Sequence, residues 1–196
     1  MDLDAYRTAV NTQCGISLSS AAVDLVINQA LRQVAAERDW PWLDLEETGT
    51  WPAAETTTLD AAAKAVRSVN IGGYRFDPMP EQDADLDWAV RVVKGYSVAG
   101  RELRVAPQPD EGTDYTVWYV AYENTLVNGT DVSLCPDQFA DLAVLLACSM
   151  AHDRPEGHPG AQARFEARYQ QALDRAVRTS KPKRGGQLPR TRQDVP

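Results

Sequence analysis

Residues that do chemistry are scarce in this sequence. Two histidines, His152 and His158, and three cysteines, Cys14, Cys135 and Cys148, are spread over 196 positions. Cys148, His152 and His158 form a Cys-x3-His-x5-His string, which matches no standard zinc spacing and has no fourth ligand nearby. The odd cysteine count, without a Cys-x-x-Cys, gives neither a disulfide framework nor a zinc pattern, so buried reduced thiols are expected. There is no Gly-x-Ser-x-Gly elbow and no Walker loop; Gly72-Gly73 reads as a turn. The acidic run Asp77, Glu81, Asp83, Asp85, Asp87 lacks the alternating Asp/Asn and the glycine of a calcium loop and reads as solvated. No apolar run approaches the roughly 18 to 20 residues of a membrane span. Met1-Asp2-Leu3-Asp4 is acidic where a signal peptide is basic, which points to synthesis in a cytoplasm. No catalytic, cofactor-binding or metal-binding residue emerges, and the expectation is a structural protein that works by binding other proteins.

What is present is an ordinary globular composition with segregated charge. Hydrophobic residues make up 43% and charged residues 24%, too apolar for a disordered chain. The net charge is −8, yet Lys181, Lys183, Arg184, Arg190 and Arg192 stand against Asp194 alone after residue 180. Residues 1–180 therefore carry −12. Such a body repels nucleic-acid phosphates, and residues 181–196, with three prolines and two glycines, are expected to be a flexible basic tail.

Periodicity divides the rest. A short helix is expected over about 2–12. Val23, Val26, Ile27, Ala30, Leu31 and Val34 recur at three- and four-residue spacing, with Asp24, Asn28, Arg32, Gln33 and Glu37 opposite, giving a helix over about 20–39. Ser17, Ser19 and Ser20 are candidate caps, and Pro41 sets the end. Over about 43–125 the period shortens: 64–71, 88–93, 102–106 and 115–122 read as strands, the last suited to burial on both faces. Gly100, Asp77-Pro78 and 107–112 supply turns, and an antiparallel sheet of four to six strands is expected. A helix then runs over about 136–153, opened by Pro136 and Asp137. It is apolar all round from Phe139 to Ala151, so neighbouring subunits are a natural source of cover. The last helix, about 160–179, has Phe165, Tyr169, Ala172, Leu173, Ala176 and Val177 as its stripe. The fold class is thus α+β: a bundle of three to four helices with an inserted antiparallel sheet, residues 1–180, and the tail. Trp40, Trp42, Trp118, Tyr119 and Tyr122 are expected mostly in the core, with some left as interface anchors.

In this order the elements resemble a known family. Asn28-Gln-Ala-Leu-Arg-Gln-Val-Ala-Ala-Glu-Arg-Asp-Trp-Pro-Trp-Leu43 resembles the early helix and exit of tailed-bacteriophage head-to-tail connector (portal adaptor) proteins. Val66–Ile71, Leu103–Asp110 with Tyr115–Tyr122, and Leu134-Cys-Pro-Asp-Gln-Phe139 are similar to their first insertion strand, their strand-turn-strand and the opening of their long helix. The resemblance spans about 18–180.

That resemblance implies a virion protein of the head-tail junction, assembled as a dodecameric ring beneath the portal protein. Neighbouring copies, the portal and a downstream neck or tail protein are then the partners. DNA passes through the channel without sequence-specific binding, and no cofactor or membrane is involved. An acidic lumen suits sliding DNA, and Glu46, Glu47, Glu81, Asp83, Asp85 and Asp87 are candidate lumen-facing acids. Lys181, Lys183, Arg184, Arg190 and Arg192 are candidates for docking on the portal or on a neighbouring subunit. Two alternatives stand beside this reading: a neck or tail-terminator subunit further from the portal, and a regulatory binding protein outside the virion.

Overall fold

The computed structural model describes residues 1–79, 94–155 and 157–180. The expectations for Glu81, Asp83, Asp85 and Asp87, for a strand at 88–93 and for the basic tail lie outside the described residues.

Helix α1, Leu3–Cys14, starts where the Asp2 carboxylate accepts the Ala5 N–H at 2.8 Å. It stops at Gly15, whose φ of 72° is the left-handed cap that glycine adopts without a Cβ penalty. Helix α2, Ser20–Ala36, is capped by Ser19, whose hydroxyl accepts from Ala22 N at 3.3 Å. Its apolar stripe is buried as the spacing predicts. Trp40 closes it: the fully buried indole donates Nε1–H to the Val34 carbonyl at 2.6 Å, satisfying one of the orphan acceptors of the last turn. Trp42 stacks on Trp40 with ring centroids 4.3 Å apart and on Phe139 at 4.9 Å.

Seven strands follow: β1 (Asp44–Thr50), β2 (Thr56–Thr58), β3 (Ala63–Ile71), β4 (Tyr74–Pro78), β5 (Gly95–Ala99), β6 (Glu102–Ala106) and β7 (Asp114–Ala121). They form one sheet in the order β1-β7-β3-β4-β5-β6-β2. The expected count was too low and the expected geometry incomplete. β4 and β5 pair in parallel, Asp77 opposite Gly95, while the other pairs are antiparallel. A parallel neighbour needs a crossover of a dozen or more residues, a length that the interval 79–94 has. β1 was not legible because Asp-Leu-Glu-Glu-Thr-Gly-Thr has little β propensity; it is an edge strand held along its whole length by β7. β7 does bury both faces at its end: Tyr119 and Ala121 enter the sheet core, and Val120 enters the helical one.

After a loop at 122–136 the chain makes a 3-10 turn, Asp137–Phe139, and only then α3, Ala140–His152. The helix starts one turn later than expected from Pro136: Phe139, with φ −115° and ψ 2°, leaves helical geometry while stacked against Trp42. Eleven of the thirteen residues of α3 are buried. They share one core with α1, α2 and α4 (Pro159–Thr179), so the chain itself encloses this helix and neighbouring subunits are not needed for it. The stripe of α4 is also looser than expected: Tyr169 and Ala176 are buried, Phe165, Ala172 and Leu173 partly so, and Val177 is exposed. Among the described residues, four helices around one core with a seven-stranded curled sheet make the fold α+β.

Asn28, placed by periodicity on the polar face of α2, is buried instead. Its side chain clamps the 122–136 loop: Nδ2 donates to the Leu126 carbonyl at 2.9 Å and Oδ1 accepts the Leu126 N–H at 2.8 Å. Asn28→Ala leaves both backbone groups buried without partners and is expected to cost about 2 kcal/mol of folding stability. Urea titration measures this; a loss under about 0.5 kcal/mol contradicts the clamp.

Candidate assembly surfaces

Apolar residues of the interior segregate into two cores joined through Val120 and Leu134, and the loop between β7 and α3 lies across the junction. One carboxylate, Glu123, organises that loop. It is 7% exposed, and its Oε1 accepts from Ser133 Oγ at 3.0 Å and from Leu134 N at 2.8 Å. Its Oε2 is buried and unpartnered, as is the nearby Tyr6 hydroxyl. Burial pushes the Glu123 carboxyl above its ordinary value of 4.5, against the hydrogen bonds that pull it down, and burial likewise pushes the Tyr6 phenol up. The loop also receives the start of α1: Leu3 N donates to the Asp131 carbonyl and Asp4 N to the Gly129 carbonyl, each at 3.1 Å. Beyond Leu126 the chain turns outward, so that Val127 (69% exposed) and Val132 (60%) reach the surface. Hydrogen bonds from Arg32 to Thr125 and from Asn28 to Leu126 hold the start of this loop along α2, on which Leu25 is also exposed. Among the described residues, Tyr74 and Tyr122 are the exposed aromatics. Of the aromatics singled out by sequence, Trp40 and Tyr119 are core, Trp42 and Trp118 are half-buried, and Tyr122 is free for a partner.

The three thiols and His152 are buried, and His158 is exposed. Burial pushes the Cys135 and Cys148 thiols up to about 12, and also raises Cys14. His152 is buried with both ring nitrogens engaged: Nε2 donates to the Cys14 carbonyl at 2.9 Å, and Nδ1 accepts the His158 N–H at 3.3 Å. It therefore ties α1 to the α3–α4 connection. Among the described residues, no group of three or more His, Cys, Asp or Glu is arranged to hold a metal ion. Nor is any helix among them long and apolar enough to cross a membrane.

The two candidate acids that are described part company. Glu46 is exposed on the outer face of edge strand β1. Glu47, on the other face, accepts from Tyr115 and Tyr119 hydroxyls at 3.2 Å each and from Asp60 N at 2.9 Å, which pins β1 to β7. Sequence alternation along β1 shows this split once the strand is recognised.

A basic surface escaped the sequence reading. Arg164, Arg168, Arg175 and Arg178 on α4 are all exposed. At 100° per residue they fall within a stripe about 80° wide and about 21 Å long. None of the four has a carboxylate partner among the described residues. The first two also border a groove of about 540 Å³ lined by Gln13, Cys14, Gly15, His152 and His158. Ten of the twenty bases lie in residues 154–196 against four acids, giving +6 there and −14 in residues 1–153. The signal was the i, i+4, i+11, i+14 spacing, masked because the apolar stripe of the same helix was the pattern sought.

Glu123 has a testable pH signature. Between pH 4.5 and its raised folded pKa the unfolded chain releases a proton that the folded one keeps, so this group makes stability fall as pH rises. Unfolding free energies measured in urea from pH 4 upward should show Glu123→Gln gaining on the native chain across that window. Parallel curves for the two proteins would contradict the assignment.

No curated protein sequence matches the chain. The profile of the SU10 adaptor protein family, in contrast, matches residues 1–192, nearly its full length. The chain belongs to the SU10 adaptor protein family, a family of phage head-to-tail adaptors and hence of structural virion proteins.

Proposed function

We propose that this chain forms a ring, dodecameric as in connector proteins, beneath the portal, joins head to tail there and lines the channel through which DNA leaves. The observation that carries this reading is the family match over residues 1–192. The charge supports it: a body of −14 over residues 1–153 gives DNA phosphates no counterion-release gain, so DNA slides without adhering. Glu46, with Glu81, Asp83, Asp85 and Asp87, supplies candidate lumen acids; the Glu47 carboxylate is already occupied by two tyrosines and is the weakest of the set. The basic residues Lys181, Lys183, Arg184, Arg190 and Arg192 dock the C-terminal segment on an acidic patch of the portal. Exposed apolar Leu25, Val127 and Val132 are candidates for contact with the downstream protein.

Mixing the purified chain with the portal ring of the same phage and imaging the product by electron microscopy tests the placement. Added density below the portal is expected, and truncation after Ser180 is expected to abolish it. Density on tail tubes instead of the portal would favour a neck or tail-terminator subunit, and binding to neither would overturn the virion-junction reading.

A further inference from the structure

We infer that the arginine stripe of α4 is the lateral contact that joins one copy of this chain to the next, its counterpart being the acidic turn between β6 and β7 of the neighbouring copy. The inference rests on the ring reading above and names the surfaces that would build it.

The stripe needs an acidic partner. Four exposed guanidinium groups on one side of a helix repel one another, and none finds a carboxylate within the described chain. A complementary surface exists on the same molecule. Asp110, Glu111 and Asp114 are exposed within five residues and likewise have no basic partner among the described residues. The turn is held in shape by backbone: Thr113 N and Oγ1 donate to the Asp110 carbonyl, and Gly112 N donates to the Trp51 carbonyl at 2.9 Å. Its carboxylates are therefore presented without being consumed.

The two surfaces belong to different parts of the chain. Asp114 opens β7, and Val120, six residues on, belongs to the helical core, so the turn stands about 20 Å beyond that core. The stripe lies on α4, in the helical part. A basic face and an acidic tip at separate places on one molecule favour head-to-tail contact between copies.

Symmetry sharpens the choice. A contact centred on the stripe would set four arginines against four arginines, so the stripe does not pair with itself, and its separation from the acidic turn favours a heterologous contact. Heterologous contacts propagate, and they close into a ring when the rotation permits. Nucleic acid is the competing anion, but a stripe of four arginines on a chain of net charge −8 gives it a poor electrostatic approach.

The test uses two charge-reversed chains. Arg168→Glu/Arg175→Glu makes the stripe acidic, and Asp110→Arg/Glu111→Arg makes the turn basic. Each alone should lower self-association on the portal by about a hundredfold, because like charges now face each other. Mixed in equal amounts, the two should assemble again, since each reversed surface then meets its opposite on the other variant. All four positions are exposed, and thermal melting of each variant checks that the fold is kept. Native chain that makes no ring on the portal refutes the ring reading and this contact with it. Native rings that survive both reversals refute this contact alone. Loss of assembly in both variants without rescue on mixing also overturns it. So does a fluorescently labelled DNA duplex that binds native chain and is released by Arg168→Glu/Arg175→Glu while rings persist.

Discussion

Everything in this molecule is arranged around the need to keep water off α3. Leu142, Val144, Leu145, Leu146, Ala147 and Cys148 point in every direction from one helix axis, and each is buried. At about 1.5 to 3 kcal/mol for each fully buried large aliphatic side chain, this helix dominates the drive to fold. It can be stable only if other elements surround it. α1, α2 and α4 do so, which is why the N-terminal and C-terminal helices meet although the sheet lies between them in sequence. Met1, whose amine pairs with Asp137 at 2.5 Å, and His152, bonded to the Cys14 carbonyl, mark the two ends of the seam where α1 is fastened to α3.

Enclosing α3 leaves the sheet to be attached through a narrow junction. Val120 is the residue of β7 that enters the helical core, and the 122–136 loop completes the connection through Asn28, Glu123 and Ser133. Polar residues do this work because the loop backbone is buried there and its N–H and C=O groups need partners. The buried, half-satisfied Glu123 is the cost of that solution: it organises Ser133 and Leu134 but sits where burial disfavours its charged form. Loops anchored this way can be rigid while exposing apolar residues. Val127 and Val132 stand out on a backbone held by Asp131, whose carboxylate accepts Val127 N at 2.7 Å and Asn128 N at 2.8 Å.

How much of this was legible follows from the range of the interactions. Helix α2 and its buried stripe came from local periodicity, and Ser19 was among its candidate caps. β3, β6 and β7 were legible because Val, Tyr and Trp favour strands whatever lies beside them. β1 was not, since Asp44 to Thr50 is a strand only because β7 offers it an edge. Asn28 was assigned to the wrong face because its partner, Leu126, is 98 residues away. The expectation that neighbours cover α3 failed for a related reason: how many helices surround it depends on α1, whose buried positions are the widely spaced Leu3, Tyr6, Val10 and Cys14. Of the surface, the tail and the acidic run were visible as composition, whereas the α4 stripe needed an angle as well as a count.

Self-sufficiency of the core changes what assembly must do. If subunits were needed to cover α3, the interface would be apolar and the free chain unstable. With α3 enclosed, the described surface offers small apolar points and separated charges, and contacts of that kind are weak, salt-sensitive and reversible. In the ring proposed above, weak lateral contacts suit a component that must not polymerise before its platform exists: each gains little alone, and copies close into a ring where a template holds them at high effective concentration. Heterologous geometry adds the complementary risk, because the same contact that closes a ring on a template can run on as a filament without one. A net charge of −8 opposes that outcome in solution, since every added copy increases the repulsion that the next must overcome. In the proposed ring, the segregation of charge along this chain, acidic through residue 153 and basic after it, supplies both the attraction between neighbours and the repulsion between unassembled copies.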